Sequence, residues 1–173
     1  MENQADSKGI IINYGLTLAG ISILLSLVIY AMGNHLEPHW SINALTFVAF
    51  IALIILGIKK FKEINGGFLS FGQAVKIGVG IAIISALIGS IYQYLFMTFI
   101  EPEFMSQVME LQQQKMLDQG MSEDQIEATQ EWSAKFSSPF MMIAFGIIGS
   151  AIGGFIVSAI GGAIMKKSEE DQY

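Results

Sequence analysis

The chain has no cysteine, so disulfides, thiolate metal sites and thiol nucleophiles are excluded, and the redox state of its compartment leaves no trace. It has no arginine either: all nine basic residues are lysine. Paired recognition of phosphate favours the guanidinium fork, so this absence argues against a nucleic-acid or phosphate reader, and no nucleic-acid partner is expected. Charge of both signs is scarce, at 14% of residues against roughly 25% in an ordinary soluble domain. A soluble protein of 173 residues needs far more polar surface than that. What the chain has instead is long apolar stretches.

A helix needs about 20 apolar residues to cross a hydrocarbon core of roughly 30 Å. Ile10–Met32 carries no charge and has Ile, Leu or Val at twelve positions. At roughly -0.3 to -0.6 kcal/mol each, these favour insertion by several kcal/mol. Ile42–Ile58 is shorter, with Trp40 placed as an interfacial anchor just before it. Ile77–Ile100, extended back to residue 73, and Phe140–Met165 complete a set of four that contains no Asp, Glu, Arg or His and, within those apolar cores, no Lys. The acidic residues Glu2 and Asp6 before the first run, and its length, fit a retained span rather than a signal peptide.

If the four spans alternate, Lys8, Lys59, Lys60, Lys62, Lys76, Lys166 and Lys167 fall on one side and only Lys115 and Lys135 on the other. The excess of lysine marks the cytoplasmic side. Between the third and fourth spans lie Glu101, Glu103, Glu110, Asp118, Glu123, Asp124, Glu127 and Glu131, which concentrates acidity on the opposite side. The expected fold is therefore an all-α membrane protein in one domain. Four transmembrane helices at about 10–32, 42–58, 73–100 and 140–165 place both termini inside (N-in, C-in). An extracytoplasmic helical hairpin, 102–137, joins helices 3 and 4.

Lipid tails are as apolar as leucine, so spans associate through close backbone approach and polar contacts. The fourth span carries Gly146, Ser150, Gly154, Ser158 and Gly162 at every fourth position, and the third carries Ala74, Gly78, Ala82, Ala86 and Ser90. Residues four apart share a helix face, so these two spans are expected to pack as an antiparallel pair. The same stripes also suit a homo-oligomer, arranged around a pore in the sharper version of that reading. Gly149 and Gly153 form a second, shorter stripe. Asn13, Thr17, Asn43, Thr46, Gln93 and Thr98 are expected to hydrogen-bond between helices. Ionisable groups inside the bilayer, which ion-coupled transporters keep, are missing.

A connection of this length needs structure of its own, and it reads as two helices. Pro102 suits the first helical position, Phe104, Val108 and Leu111 follow at helical spacing, and Gly120 ends the first helix. Ser122 and Gln125 form a capping box for the second, where Ile126, Thr129, Trp132 and Phe136 share a face. Phe104, Val108, Ile126, Trp132 and Phe136 are the candidate partner surface. That face packs on its sister helix, lies on the membrane or docks a protein. His35, Glu37 and His39 form a short polar cluster, but Pro38 breaks the helix that would align two imidazoles on zinc. Gly66, Gly67 and Gly72 lack the lysine and hydroxyl of a phosphate loop, and no serine, histidine and acid are set out for nucleophilic catalysis.

The stretch Gly66-Gly67-Phe68-Leu69-Ser70-Phe71-Gly72-Gln73-Ala74-Val75-Lys76-Ile77-Gly78, the segment Gly120-Met121-Ser122-Glu123-Asp124-Gln125-Ile126-Glu127 and the four-span layout resemble a bacterial family known as domain of unknown function 4199. The resemblance covers nearly the full length. It implies a bacterial inner-membrane location and carries no catalytic or binding residues with it. The functional expectation is a non-enzymatic scaffold or modulator, without metal or cofactor, acting through the outer hairpin. Its partners would be the lipid bilayer and another membrane or periplasmic protein. The alternative is a small oligomeric channel or transporter assembled through the glycine-rich helices.

Overall fold

The computed structural model describes residues 6–134 and 138–167. The chain is all-α: α1 is Ser7–Ala31, α2 Trp40–Ile64, α3 Phe71–Leu95, α4 Phe104–Asp118, α5 Glu123–Ala134 and α6 Pro139–Met165. A π-helical turn, Phe96–Ile100, prolongs α3. Four helices, Ser7–Ala31, Trp40–Ile64, Phe71–Ile100 and Phe140–Met165, are long and apolar enough to cross a membrane.

The helices overrun the apolar stretches that announce them. α2 continues past Ile58 through Lys59, Lys60 and Lys62 to Ile64, and α3 starts at Phe71. Hydropathy marks where hydrocarbon could end, whereas a helix runs on until its open carbonyls find other donors. Those donors come from one device used three times. Asn34 N donates to Ile29 O at 3.2 Å, Gly67 N to Lys62 O at 2.8 Å and Met121 N to Met116 O at 3.1 Å. Each bond closes over a left-handed glycine, with φ of 73° at Gly33, 67° at Gly66 and 78° at Gly120. Lacking Cβ, glycine reaches this conformation without the steric cost other residues meet.

The starts are capped by side chains. Asp6 accepts from Lys8 N at 2.9 Å at the head of α1. His39 accepts from Ser41 N at 3.4 Å at the head of α2. Ser70 N donates to Gln73 Oε1 at 2.8 Å while Gln73 N donates to Ser70 Oγ at 3.2 Å, a reciprocal box that opens α3. Ser122 N donates to Gln125 Oε1 at 3.0 Å ahead of α5.

Two compact units divide the chain, Met1–Gly89 with Ile147–Tyr173, and Ser90–Gly146. In the first, the bundle unit, α3 packs on three helices through glycine. A Cβ added at Gly15 of α1 would lie 2.7 Å from Ile84 Cβ, and one added at Gly57 of α2 would lie 2.5 Å from Ile81 Cδ1. Gly80 of α3 receives Ile11 of α1 at 2.9 Å in the same sense. Isoleucine branches thus fill the space that single glycines leave open. Leu18, Ile54, Ile58, Leu69, Ile77 and Ile81 are fully buried here.

In the second, the hairpin unit, the π turn is closed by Glu101 N donating to Phe96 O at 2.9 Å. Phe96 is buried between Tyr92, at 5.9 Å between ring centroids, and Phe104, edge-on at 5.8 Å. Pro102 lies in the turn before α4 rather than at its first position. Glu101 explains this: at φ −140° and ψ 78° it has left the helical region, as the residue before a proline is pushed to do.

Candidate functional site: a small-residue seam and a methionine-lined groove

The small residues of α3 and α6 meet in antiparallel order within the bundle unit. A Cβ at Gly162 would lie 2.7 Å from Ala74 Cβ, one at Gly78 would overlap Ser158 Cβ, and one at Gly154 would lie 2.6 Å from Ala82 Cβ. The pairs 74/162, 78/158 and 82/154 advance by one helical turn each. Ser150 adds a cross-helix bond, its Oγ donating to Ala82 O at 3.1 Å. Ser158 is fully buried, and its hydroxyl turns back to Gly154 O at 2.6 Å within its own helix. Ala86 is half-buried in the bundle unit, and Ser90 and Gly146 belong to the hairpin unit. A Cβ at Gly146 would meet nothing within 4 Å, nor would one at Gly149, whereas one at Gly153 would meet Phe50 at 3.5 Å. The three pairs therefore leave Gly154, Ser158 and Gly162 no exposed surface to offer a second molecule.

Three of the threonines expected to bond between helices do not. Thr17, Thr46 and Thr98 each donate to the carbonyl four residues back, on Asn13, Ile42 and Tyr94. A threonine hydroxyl reaches its own previous turn more readily than a neighbouring helix.

At the far end of α6 the connection between α2 and α3 closes over the helix terminus. Leu69 and Lys167 exchange two backbone bonds, N to O at 3.0 Å in each direction. Lys62 Nζ donates to Met165 O at 2.7 Å. Open carbonyls and the negative end of the dipole make a helix C-terminus a favourable place for an ammonium group. Lys167 Nζ stands 5.8 Å over the Phe68 ring, and Asn65 Nδ2 donates to Phe68 O at 3.0 Å. Leu69 is buried completely. The run from Gly66 to Gly78 is thus structural along its length: two left-handed glycines, an aromatic and a leucine that seal the end of α6, a capping box, and the first steps of the seam.

The hairpin unit holds a half-open groove of about 710 Å³. Met97, Met105, Met109, Met116 and Met142 line it, together with Phe104 and Val108. Gln112, Gln113, Gln130 and Ser133 supply polar atoms, and Glu110 is the one charged group among the described residues of the lining. Methionine is unbranched and polarizable, so it conforms to irregular apolar shapes. The groove is suited to holding an apolar chain.

The model of the family described as protein of unknown function (DUF4199) matches residues 13–167. The chain belongs to this family. The match takes in the seam, the closure over α6 and the methionine-lined groove of this family member, and it agrees with the resemblance carried by the stretch from Gly66 and the segment from Gly120. No curated protein and no solved structure matches the chain.

The candidate partner residues are dispersed. Phe104 and Val108 line the groove, Ile126 is buried at 4% exposure, and Trp132 is exposed at 65%. Phe136 lies outside the described residues. Near α2, His39 Nδ1 lies 2.8 Å from Ser41 Oγ, which commits that ring to the helix start, and His35 packs edge-on against Tyr30 at 5.1 Å. Among the described residues no three His, Cys, Asp or Glu side chains gather as a metal set. The groove as a whole was not visible in the sequence, because three of its five methionines lie on α4 and the other two on the π turn and on α6, far apart along the chain.

Proposed function

We propose that this protein is a non-enzymatic, multi-pass protein of the bacterial inner membrane, with both termini cytoplasmic, that binds another membrane or periplasmic protein through its hairpin unit. The observation that carries this reading is Trp132, a large aromatic exposed at 65% on a helix otherwise rich in acidic and polar residues. Exposed tryptophan is enriched where proteins meet, because its broad apolar ring gives large contact area at little cost in side-chain entropy. Orientation rests on the lysines, of which Lys62 and Lys167 gather at the C-terminal end of α6 and so share one end of the bundle unit. The acidic hairpin would then face the other side of the membrane.

A photo-crosslinking amino acid placed at Trp132 in intact cells tests the reading. The expected result is one crosslinked protein, lost when Glu127 and Glu131 are both changed to lysine. Adducts with lipid alone overturn it. Cysteine accessibility tests the orientation separately: in this cysteine-free chain, a single cysteine at Glu123 should react with an impermeant maleimide from the periplasmic side.

A further inference from the structure

The groove of the hairpin unit has a lining that selects its occupant. Its lining runs along α4 from Phe104 to Met116, about 18 Å at 1.5 Å per residue. Its wall of methionines conforms to an occupant of no fixed shape. A flexible hydrocarbon chain is such an occupant.

The lining also says where such a chain comes from and what head it carries. Met97 belongs to the apolar helix Phe71–Ile100 and Met142 to the apolar helix Phe140–Met165, so the groove is walled in part by segments suited to hydrocarbon. The amides of Gln112, Gln113 and Gln130 offer both donors and acceptors. Among the described residues no lysine lines the groove and Glu110 does, so an anionic headgroup would find one like charge and no counter-charge from them. The π turn at Phe96–Ile100 sets Met97 into the wall; such turns recur where a helix is bent to serve a site.

From this geometry we propose that the groove binds the acyl portion of one bilayer lipid with an uncharged or zwitterionic headgroup, held between α4, α5 and the adjoining ends of the apolar helices. The inference rests on the membrane placement above and is independent of the protein partner. The lipid fixes the spacing of α4 and α5, and with it the surface that carries Trp132.

The test uses the purified full chain in nanodiscs of phosphatidylcholine, with no partner protein present. A trace of phosphatidylcholine bearing a photoreactive diazirine near the end of one acyl chain is added, and adducts are mapped by mass spectrometry. Adducts within residues 104–116 are expected. Met109→Trp fills the groove and should lower them about tenfold, the loss that corresponds to denying a chain the burial of about two methylenes. Leu117→Trp, on α4 but not among the residues that line the groove, should leave them unchanged. Met105→Trp is read in parallel, with helical content checked by circular dichroism, so that one variant failing to fold leaves the other to decide. Adducts confined to the apolar helices away from Met97 and Met142 overturn the proposal, as does unchanged labelling in a folded, groove-filling variant. Stronger labelling by the equivalent phosphatidylglycerol probe overturns the headgroup assignment. Loss of the Trp132 crosslink in cells, with nanodisc labelling intact, would remove the partner reading and leave this one standing.

Discussion

The bundle unit and the hairpin unit solve packing in opposite ways. In the bundle, glycine, alanine and serine bring backbones so close that an added methyl group at Gly78 has nowhere to go. In the hairpin unit, flexible methionine chains surround a groove of about 710 Å³ instead of closing it. The lesson is that a membrane protein gains cohesion from side chains that are small and have no choice of position, and gains adaptability from side chains that are long and have many. Substitutions in the two regions should therefore differ sharply in cost.

The largest effect is expected at Gly154, where a Cβ would already lie 2.6 Å from Ala82 Cβ and 3.1 Å from the Gly78 carbonyl oxygen. Gly154→Leu should lose more than about 3 kcal/mol, beyond the usual range of overpacking, because backbone rather than a movable side chain blocks it. Thermal unfolding in detergent, followed by circular dichroism, measures this; a wild-type Tm would erase the contrast between the units. Leu69→Ala comes next, at about 2–3 kcal/mol for a fully buried leucine, and should also expose the end of α6 to hydrogen exchange at Lys166 and Lys167. Intact protection there would mean that the two backbone bonds hold without the leucine. Gly120→Ala forces a Cβ into the left-handed region and should cost about 1–2 kcal/mol, confined to the hairpin unit. Spread of that loss into the bundle, seen in residue-level exchange, would show that the units unfold together. The smallest change is expected for Met109→Leu, under about 1 kcal/mol, since an apolar swap of similar volume in an open groove disturbs little. A larger loss would mean that the groove is packed more rigidly than its methionines imply.

Much of the bundle was legible because a membrane gives a sequence few choices. Backbone groups in hydrocarbon must bond within their own helix, so long uncharged runs identify helices almost by themselves. Four-residue spacing then places Ala74, Gly78 and Ala82 on one face and Gly154, Ser158 and Gly162 on another. Gly120 as a stop and Ser122 with Gln125 as a start were equally local. Single glycines were harder: Gly15 and Gly57 form no stripe, and their role is visible only once Ile84 and Ile81 are seen against them. The bonds from Lys62 to Met165 and from Leu69 to Lys167 join residues about a hundred positions apart, a pairing that no local pattern announces. The π turn at Phe96–Ile100 contains neither proline nor glycine to mark it. The groove was least legible, since its lining is drawn from α4, α5, the end of α3 and the start of α6.

The paired bonds between Leu69 and Lys167 carry a consequence for biosynthesis. A ribosome delivers Leu69 long before Lys167, so throughout that interval the connection between α2 and α3 has two backbone groups waiting for a strand not yet made. Closing a loop of that size costs only slightly more than closing one half as long, so the delay is set by synthesis and insertion rather than by chain entropy. The last helix to arrive is then the latch: the first three can enter the membrane in turn, but the bundle locks only when the end of the fourth reaches Leu69.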